Sequence, residues 1–196
     1  MQEELIVQLC SPTLAGLKTG SLFSCPYQSE RELADDVRRL NRRLAPKGVR
    51  VLVLRVRRRA LIYLYRPSSL KKDLADDAAA ALLKGFGYSV DSAERCVVQL
   101  IERLRTSPDF PHEIGLFLGY PPEDVRGFIE NKAQDCKCVG CWKVYGDEQR
   151  ARDLFVKYQR CTEIYCERLH AGSSIAQLAV NVQQRNTAQK ERMLPS

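Results

Sequence analysis

Apolar residues recur at helical spacing in Leu33, Val37, Leu40 and Leu44, with Arg38, Arg39, Arg42 and Arg43 on the other faces. That pattern predicts an amphipathic helix. Ser29 followed three residues on by Glu32 is the spacing of a capping box at its start, and Pro46 and Gly48 end it. The segments VRVLVLRV (49–56) and ALIYLYR (60–66) are rich in β-branched, leucine and aromatic residues. The short Arg57–Arg59 link between them predicts an antiparallel hairpin. Leu70, Leu74, Ala78, Ala81 and Leu82 mark a second helix, ended by Gly85 and Gly87. Val97, Leu100, Ile101 and Leu104 mark a third, starting near Asp91 with Glu94 as its box partner.

After Pro108 and Pro111, residues 112–118 and 122–131 predict two short helices joined by Gly-Tyr-Pro. GCWKVYG (140–146) reads as a third strand. A long helix then carries Ala151, Leu154, Phe155, Tyr158, Cys161 and Tyr165 as its stripe, and Ser173 or Ser174 caps a last one. Residues 1–28, punctuated by Pro12, Gly16, Gly20 and Pro26, read as an irregular or weakly helical lead-in. The order is not a regular βαβ alternation, so the expected class is α+β: a small antiparallel sheet, the hairpin plus the later strand, covered by helices. The expected domain is 1–182, with a polar, frayed tail at 183–196.

The 196 residues suffice for one domain with a real core. No apolar run reaches the ~18–20 residues of a membrane span. The N-terminus MQEELIVQLC is acidic where a signal peptide is basic, so a cytoplasmic protein is expected. The net charge of +7 is uneven: residues 1–72 carry 15 Lys/Arg against 6 Asp/Glu, and the rest carry 16 against 18. A basic first third attracts a polyanion or an acidic protein partner, with Arg57, Arg58 and Arg59 as the contact candidates. A plain solvated face is the alternative.

The segments FPHEIGLFLGYPPEDVRGFIENK (110–132) and GCWKVYGDEQRARDLFVKYQRCTEIYC (140–166), with CSPTLAGLKTGSLFSCPY (10–27) and ALIYLYRP (60–67), resemble a bacterial family known as domain of unknown function 3793. The resemblance runs from about residue 5 to about residue 180. It implies a cytoplasmic, single-domain protein of the kind found in anaerobic Gram-positive bacteria. It carries no assigned activity, and therefore no catalytic residues.

Eight cysteines are the most prominent candidate chemistry. Cys136-Lys-Cys138-Val-Gly-Cys141 is a C-x-C-x-x-C run in a loop, the way many zinc or iron–sulfur sites begin. Cys161 and Cys166, with Cys10, Cys25, His112 or His170, are the available further donors, and thiol redox chemistry is the variant reading. Cys96 and Cys161, on apolar stripes, also suit a core. His112-Glu113 suits an acid/base pair or a ligand pair. The structural alternative puts Glu113 in a first helical turn with His112 as its cap. Lys18, in a Gly- and hydroxyl-rich lead-in, and Tyr120 join them as ligand or acid/base candidates. The spacing around Lys18 is not that of a phosphate-binding loop.

EIGLFLGYPPEDVRGFI has the layout of a helix-turn-helix, but its second helix opens with Glu123 and Asp124, which oppose phosphates. Nucleic acid is therefore a less favoured partner. No hydrolase, kinase, dinucleotide or zinc-protease signature occurs. The leading expectation is a binding or accessory protein without its own catalysis. A zinc or iron–sulfur protein using the cysteine loop, and a nucleic-acid-binding regulator, are the alternatives.

Overall fold

The computed structural model describes residues 1–182. The tail expected at 183–196 lies outside the described residues. The predicted hairpin forms as β2 (Arg50–Val56) and β3 (Ala60–Tyr65). Their register shifts between Val53 and Arg55, a bulge next to the arginine turn. The third strand of the sheet is not the predicted 140–146 segment. It is β1 (Gly20–Cys25), which pairs with β3 from Gly20↔Tyr65 to Cys25↔Ala60 and puts β3 at the centre. GSLFSC escapes a hydrophobicity reading because its Ser21 is buried by a hydrogen bond to Thr13 (2.9 Å) rather than by apolar character.

Side-chain alternation in β3 gives the sheet two buried faces. Ile62 and Leu64 enter one core, and Tyr63 enters the other. The first face is covered by α1 (Glu3–Leu14), α2 (Glu30–Leu44), the second half of α8 (Glu148–His170) and the short α9 (Ile175–Leu178). The second is covered by α3 (Pro67–Leu74), α4 (Asp77–Gly85), α5 (Ala93–Thr106) and α6 (Ile114–Phe117). The class is α+β as expected. No helix among the described residues is long and apolar enough to cross a membrane.

The irregular lead-in expected over 1–28 is corrected by α1 and β1. Pro12 falls in the last turn of α1, where it costs one intrahelical hydrogen bond without preventing the helix. The carbonyls at that helix end are gathered by Arg66, which is 2% exposed. Its guanidinium donates to Thr13 O (2.7 Å), Leu14 O (2.6 Å), Val180 O (2.8 Å) and Lys47 O (3.2 Å). A buried cation is tolerated here because four carbonyl dipoles replace its hydration.

Two helix starts also differ from expectation. The helix read through Leu70–Leu82 breaks into α3 and α4 because Asp76 caps a new start, accepting from Ala78 N and Ala79 N. The cap of α5 is Ser92 rather than Asp91, with Glu94 hydrogen-bonded to the Ser92 hydroxyl. Ser29 caps α2 as expected, accepting from Glu32 N, and of the two candidates for the last helix Ser174 is the cap, in a reciprocal box with Gln177. Asn41 fastens α2 to the sheet edge by bonding both Val51 N–H and Val51 C=O, which protects the open side of β2.

Candidate functional site

The 140–146 segment forms a separate two-stranded hairpin, β4 (Cys138–Val139) with β5 (Lys143–Val144). It packs on α7 (Pro122–Glu130) and on the first half of α8. Pro122 presets the first turn of α7, which brings Asp124 round to the hairpin. Asp124 is 3% exposed and accepts three hydrogen bonds, from Trp142 Nε1, Tyr145 N and Gly146 N, each 2.7 Å. Gly127 lets the hairpin approach, since a Cβ there would lie 2.5 Å from Tyr145. The link from α7 to the hairpin holds three non-glycine residues in the left-handed region: Lys132 (φ 48°), Ala133 (φ 62°) and Asp135 (φ 56°). Such conformations persist where the surroundings impose them. Here Lys143 Nζ donates to Ala133 O (2.7 Å) across the link.

The hairpin roofs a cavity of about 290 Å³ above α6 and α7. Tyr120 stacks on Trp142 (centroids 4.8 Å, 27° apart), and Phe155 meets Trp142 edge-on at 4.6 Å. Phe128 and His112 form the opposite wall, 5.0 Å apart, with Leu118 and Val125 as floor. The polar groups of the wall are engaged within the protein. Trp142 Nε1 and the Asp124 carboxylate bond each other, and the Tyr120 hydroxyl donates to Cys141 O (3.2 Å). His112 is the exception, exposed at the mouth with ring contacts only.

On the far side of Tyr120 the α1–β1 loop contributes Lys18. Its ammonium lies 5.1 Å from the Tyr120 ring centroid. Among the described residues no carboxylate pairs with it. Burial lowers the Lys18 pKa, with the neighbouring Cys141 and Cys10 sulfurs acting the other way. Burial likewise raises the Cys141 thiol against the pull of Lys18, and pushes Tyr120 and Tyr158 up to about 12. Tyr158 donates to Leu17 O (3.3 Å), and Thr19 bonds Asp73, whose pKa is raised by burial. A more polar cleft of about 400 Å³, lined by Asp73, Asp76, Glu123 and Arg150, shares Tyr120 as a wall. The sequence candidates Lys18, Tyr120 and Cys141 thus meet around one aromatic ring, and His112 stands across the cavity from them.

The sequence matches the family described as protein of unknown function (DUF3793) over residues 6–179. The chain belongs to that family. No curated protein and no solved structure matches it. For this DUF3793 chain the chemistry is therefore read from its own side chains.

His112 and Glu113 do not form the predicted pair. Glu113 turns inward, is 3% exposed and takes the Tyr88 hydroxyl (3.0 Å) and the Arg103 guanidinium (3.6 Å). Burial, then the Glu113 charge, drives the Tyr88 pKa well above its ordinary value. His112 turns outward between Phe110 and Phe128. No hydrogen bond or ion pair joins the two among the described residues.

The cysteine loop does not converge either. Cys136 lies beside Tyr145, Cys138 beside Arg152 and Cys141 beside Lys18. The hairpin turns at Gly140–Trp142, which sends the three thiols to different neighbours. Cys161 and Cys166 belong to the sheet-side core with Tyr165. Among the described residues no group of three or more His, Cys, Asp or Glu side chains is placed to hold a metal ion. All eight cysteines are free. Cys10 is pushed up to about 12 and Cys161 to about 11 by burial, as inert core thiols are.

The helix-turn-helix layout forms but is not presented. All four residues of α6 are buried, and α7 is sandwiched between α4, α6 and the hairpin. Its exposed residues are Glu123, Arg126 and Glu130, an acidic set where a DNA reader needs donors. Of the turn arginines, Arg59 is bound to Ser24 Oγ and Ser24 O (2.8 Å each), while Arg57 and Arg58 remain exposed. Sequence reasoning missed Asp124 as the hairpin anchor, Trp142 as a cavity wall and Arg66 as a carbonyl clamp. Aspartate at the third position after a proline start was the available signal for the first. The other two carried none.

Proposed function

We propose that this chain is a cytoplasmic ligand-binding protein without catalysis of its own, holding a small flat ring in the cavity beneath the 138–144 hairpin. One observation carries this reading. The cavity walls are aromatic, and apart from His112 and Lys143 at the mouth their polar groups are hydrogen-bonded inside the protein, so the slot favours a ring. At about 290 Å³ the space suits one ring with a short substituent. A guest of that size binds with Kd of about 10 μM to 1 mM, given the affinity available per atom. The cytoplasmic part rests on the eight free thiols, four of them buried as ordinary core residues.

Trp142 is the single tryptophan, so its indole N–H gives one unmistakable peak in a 1H–15N spectrum. A panel of one-ring fragments should shift that peak saturably, together with residues of α6 and α7. No saturable shift at millimolar concentration, or shifts scattered over the surface, would overturn the reading.

A second reading concerns a partner. Arg57 and Arg58 protrude from the β2–β3 turn, and neither has a carboxylate partner among the described residues. They suit an acidic protein segment. Binding of polyglutamate that weakens with salt and is lost in Arg57→Glu/Arg58→Glu supports this. Binding of duplex DNA but not polyglutamate, or of neither, refutes it.

A further inference from the structure

Resting on the ring-binding reading, we infer that the guest carries a carboxylate: the cavity is built for a small aromatic acid. The argument is one of charges at the wall. Among the described residues Asp124 is the only carboxylate lining the cavity, and its two oxygens already take three N–H donors. It therefore has little capacity left to hold a ligand cation. The remaining polar side chains at the mouth, Lys143 and His112, can each donate a hydrogen bond. Lys143 lines the cavity half-buried, and Ala133 O takes one of the three N–H groups an ammonium has. His112 lines the same mouth and makes no hydrogen bond among the described residues. Lys18 adds a second ammonium nearby, 5.1 Å from the centroid of the Tyr120 ring that walls the cavity, without a carboxylate partner among the described residues.

Spare donor capacity at the edge of an apolar slot defines the complement. A ring lies along Trp142, Tyr120 and Phe128, and an anionic oxygen pair at its edge meets Lys143 and His112. An aromatic amine would instead face the Lys143 ammonium and an Asp124 carboxylate that already accepts three hydrogen bonds. A neutral ring would leave the Lys143 ammonium partly desolvated with only one acceptor. Charge-assisted bonds in a partly dry site are about twice as strong as neutral ones, so the carboxylate should be the better substituent.

The test compares benzoate, benzyl alcohol and benzylamine, matched in size, by titration of the Trp142 indole peak and by calorimetry at low salt. Benzoate should bind about ten-fold or more tighter than benzyl alcohol, with benzylamine weakest, as one charge-assisted bond implies. In Lys143→Gln/His112→Gln the ratio should fall to about unity. Because Lys143 also fastens Ala133, the exposed His112→Gln variant is measured alone, and a partial loss of the ratio is expected. Equal binding of benzoate and benzyl alcohol, or a preference for benzylamine, overturns the carboxylate inference and leaves ring binding standing. Binding of none of the three overturns both.

Discussion

Replacing Asp124 with asparagine should loosen the hairpin that roofs the cavity. In the native protein one carboxylate oxygen accepts both Tyr145 N–H and Gly146 N–H, and the other accepts Trp142 Nε1–H. The asparagine oxygen can keep the backbone pair, as a weaker neutral acceptor. Its NH₂ then opposes the indole N–H, so two buried donors face each other. A buried donor left without a partner costs about 1–3 kcal/mol, and weakening the two retained bonds adds about 1 kcal/mol, for a total of about 3 kcal/mol. For a domain of this size that is a fall in Tm of about 6–12 °C. The second readout is local. Trp142 is 8% exposed and is the only tryptophan, so its emission should shift to the red as the hairpin lifts. A variant that melts within about 2 °C of the native protein and keeps its tryptophan emission would refute Asp124 as the anchor, since the expected loss is several-fold larger.

Four further outcomes are expected. Arg66→Met removes a donor from four carbonyls, of which Thr13 O and Leu14 O keep a backbone N–H, and should cost about 3 kcal/mol in urea unfolding, since a buried hydrogen-bonded charge is replaced by an apolar chain. Gly127→Ala pushes a methyl against Tyr145 and should cost about 2 kcal/mol by overpacking, with the same red-shifted Trp142 emission. In the folded protein at about pH 8, Cys10 and Cys161 should resist alkylation, because raised pKa values keep them as neutral thiols, while all eight react after unfolding. Glu3 is held below its ordinary pKa chiefly by the Arg43 hydrogen bond. Its contribution is therefore present above the unfolded value and is lost as pH falls through the lowered folded one. Glu3→Gln should accordingly show a shallower loss of stability on acidification than the native protein.

Much of the fold was legible because local patterns and tertiary demands coincided. The stripe Leu33–Leu44, the Ser29 cap and the β2–β3 hairpin each report a single element that buries one face, and all three form as expected. The readings that failed share a cause. β1 is short and carries two serines, one buried through a hydrogen bond to Thr13, so its place in the sheet depends on a partner residue eight positions away. The 140–146 segment has strand chemistry, yet only Lys143–Val144 pairs, because its neighbour is the preceding Cys138–Val139 and not the main sheet. At the site, Lys18, Tyr120 and His112 were recognisable as unusual residues. That Lys18 and Cys141 share Tyr120, while His112 and Glu113 point apart, could not be read from spacing.

The sequence by itself determined the helical stripes, the central hairpin, the cap at Ser29 and membership of a family, since all of these are written in short-range patterns of polarity and side-chain shape. Tertiary structure alone decided the cavity. Its walls come from the 112–128 and 139–143 segments, with Phe155 of α8 behind Trp142 and Lys18 of the α1–β1 loop behind Tyr120. They are brought together by a carboxylate that is buried only once the hairpin closes on it. A side chain's type sets what it can bond. Which bond it makes depends on which donors the fold carries to within 3 Å, and that distance is set by packing across the whole chain.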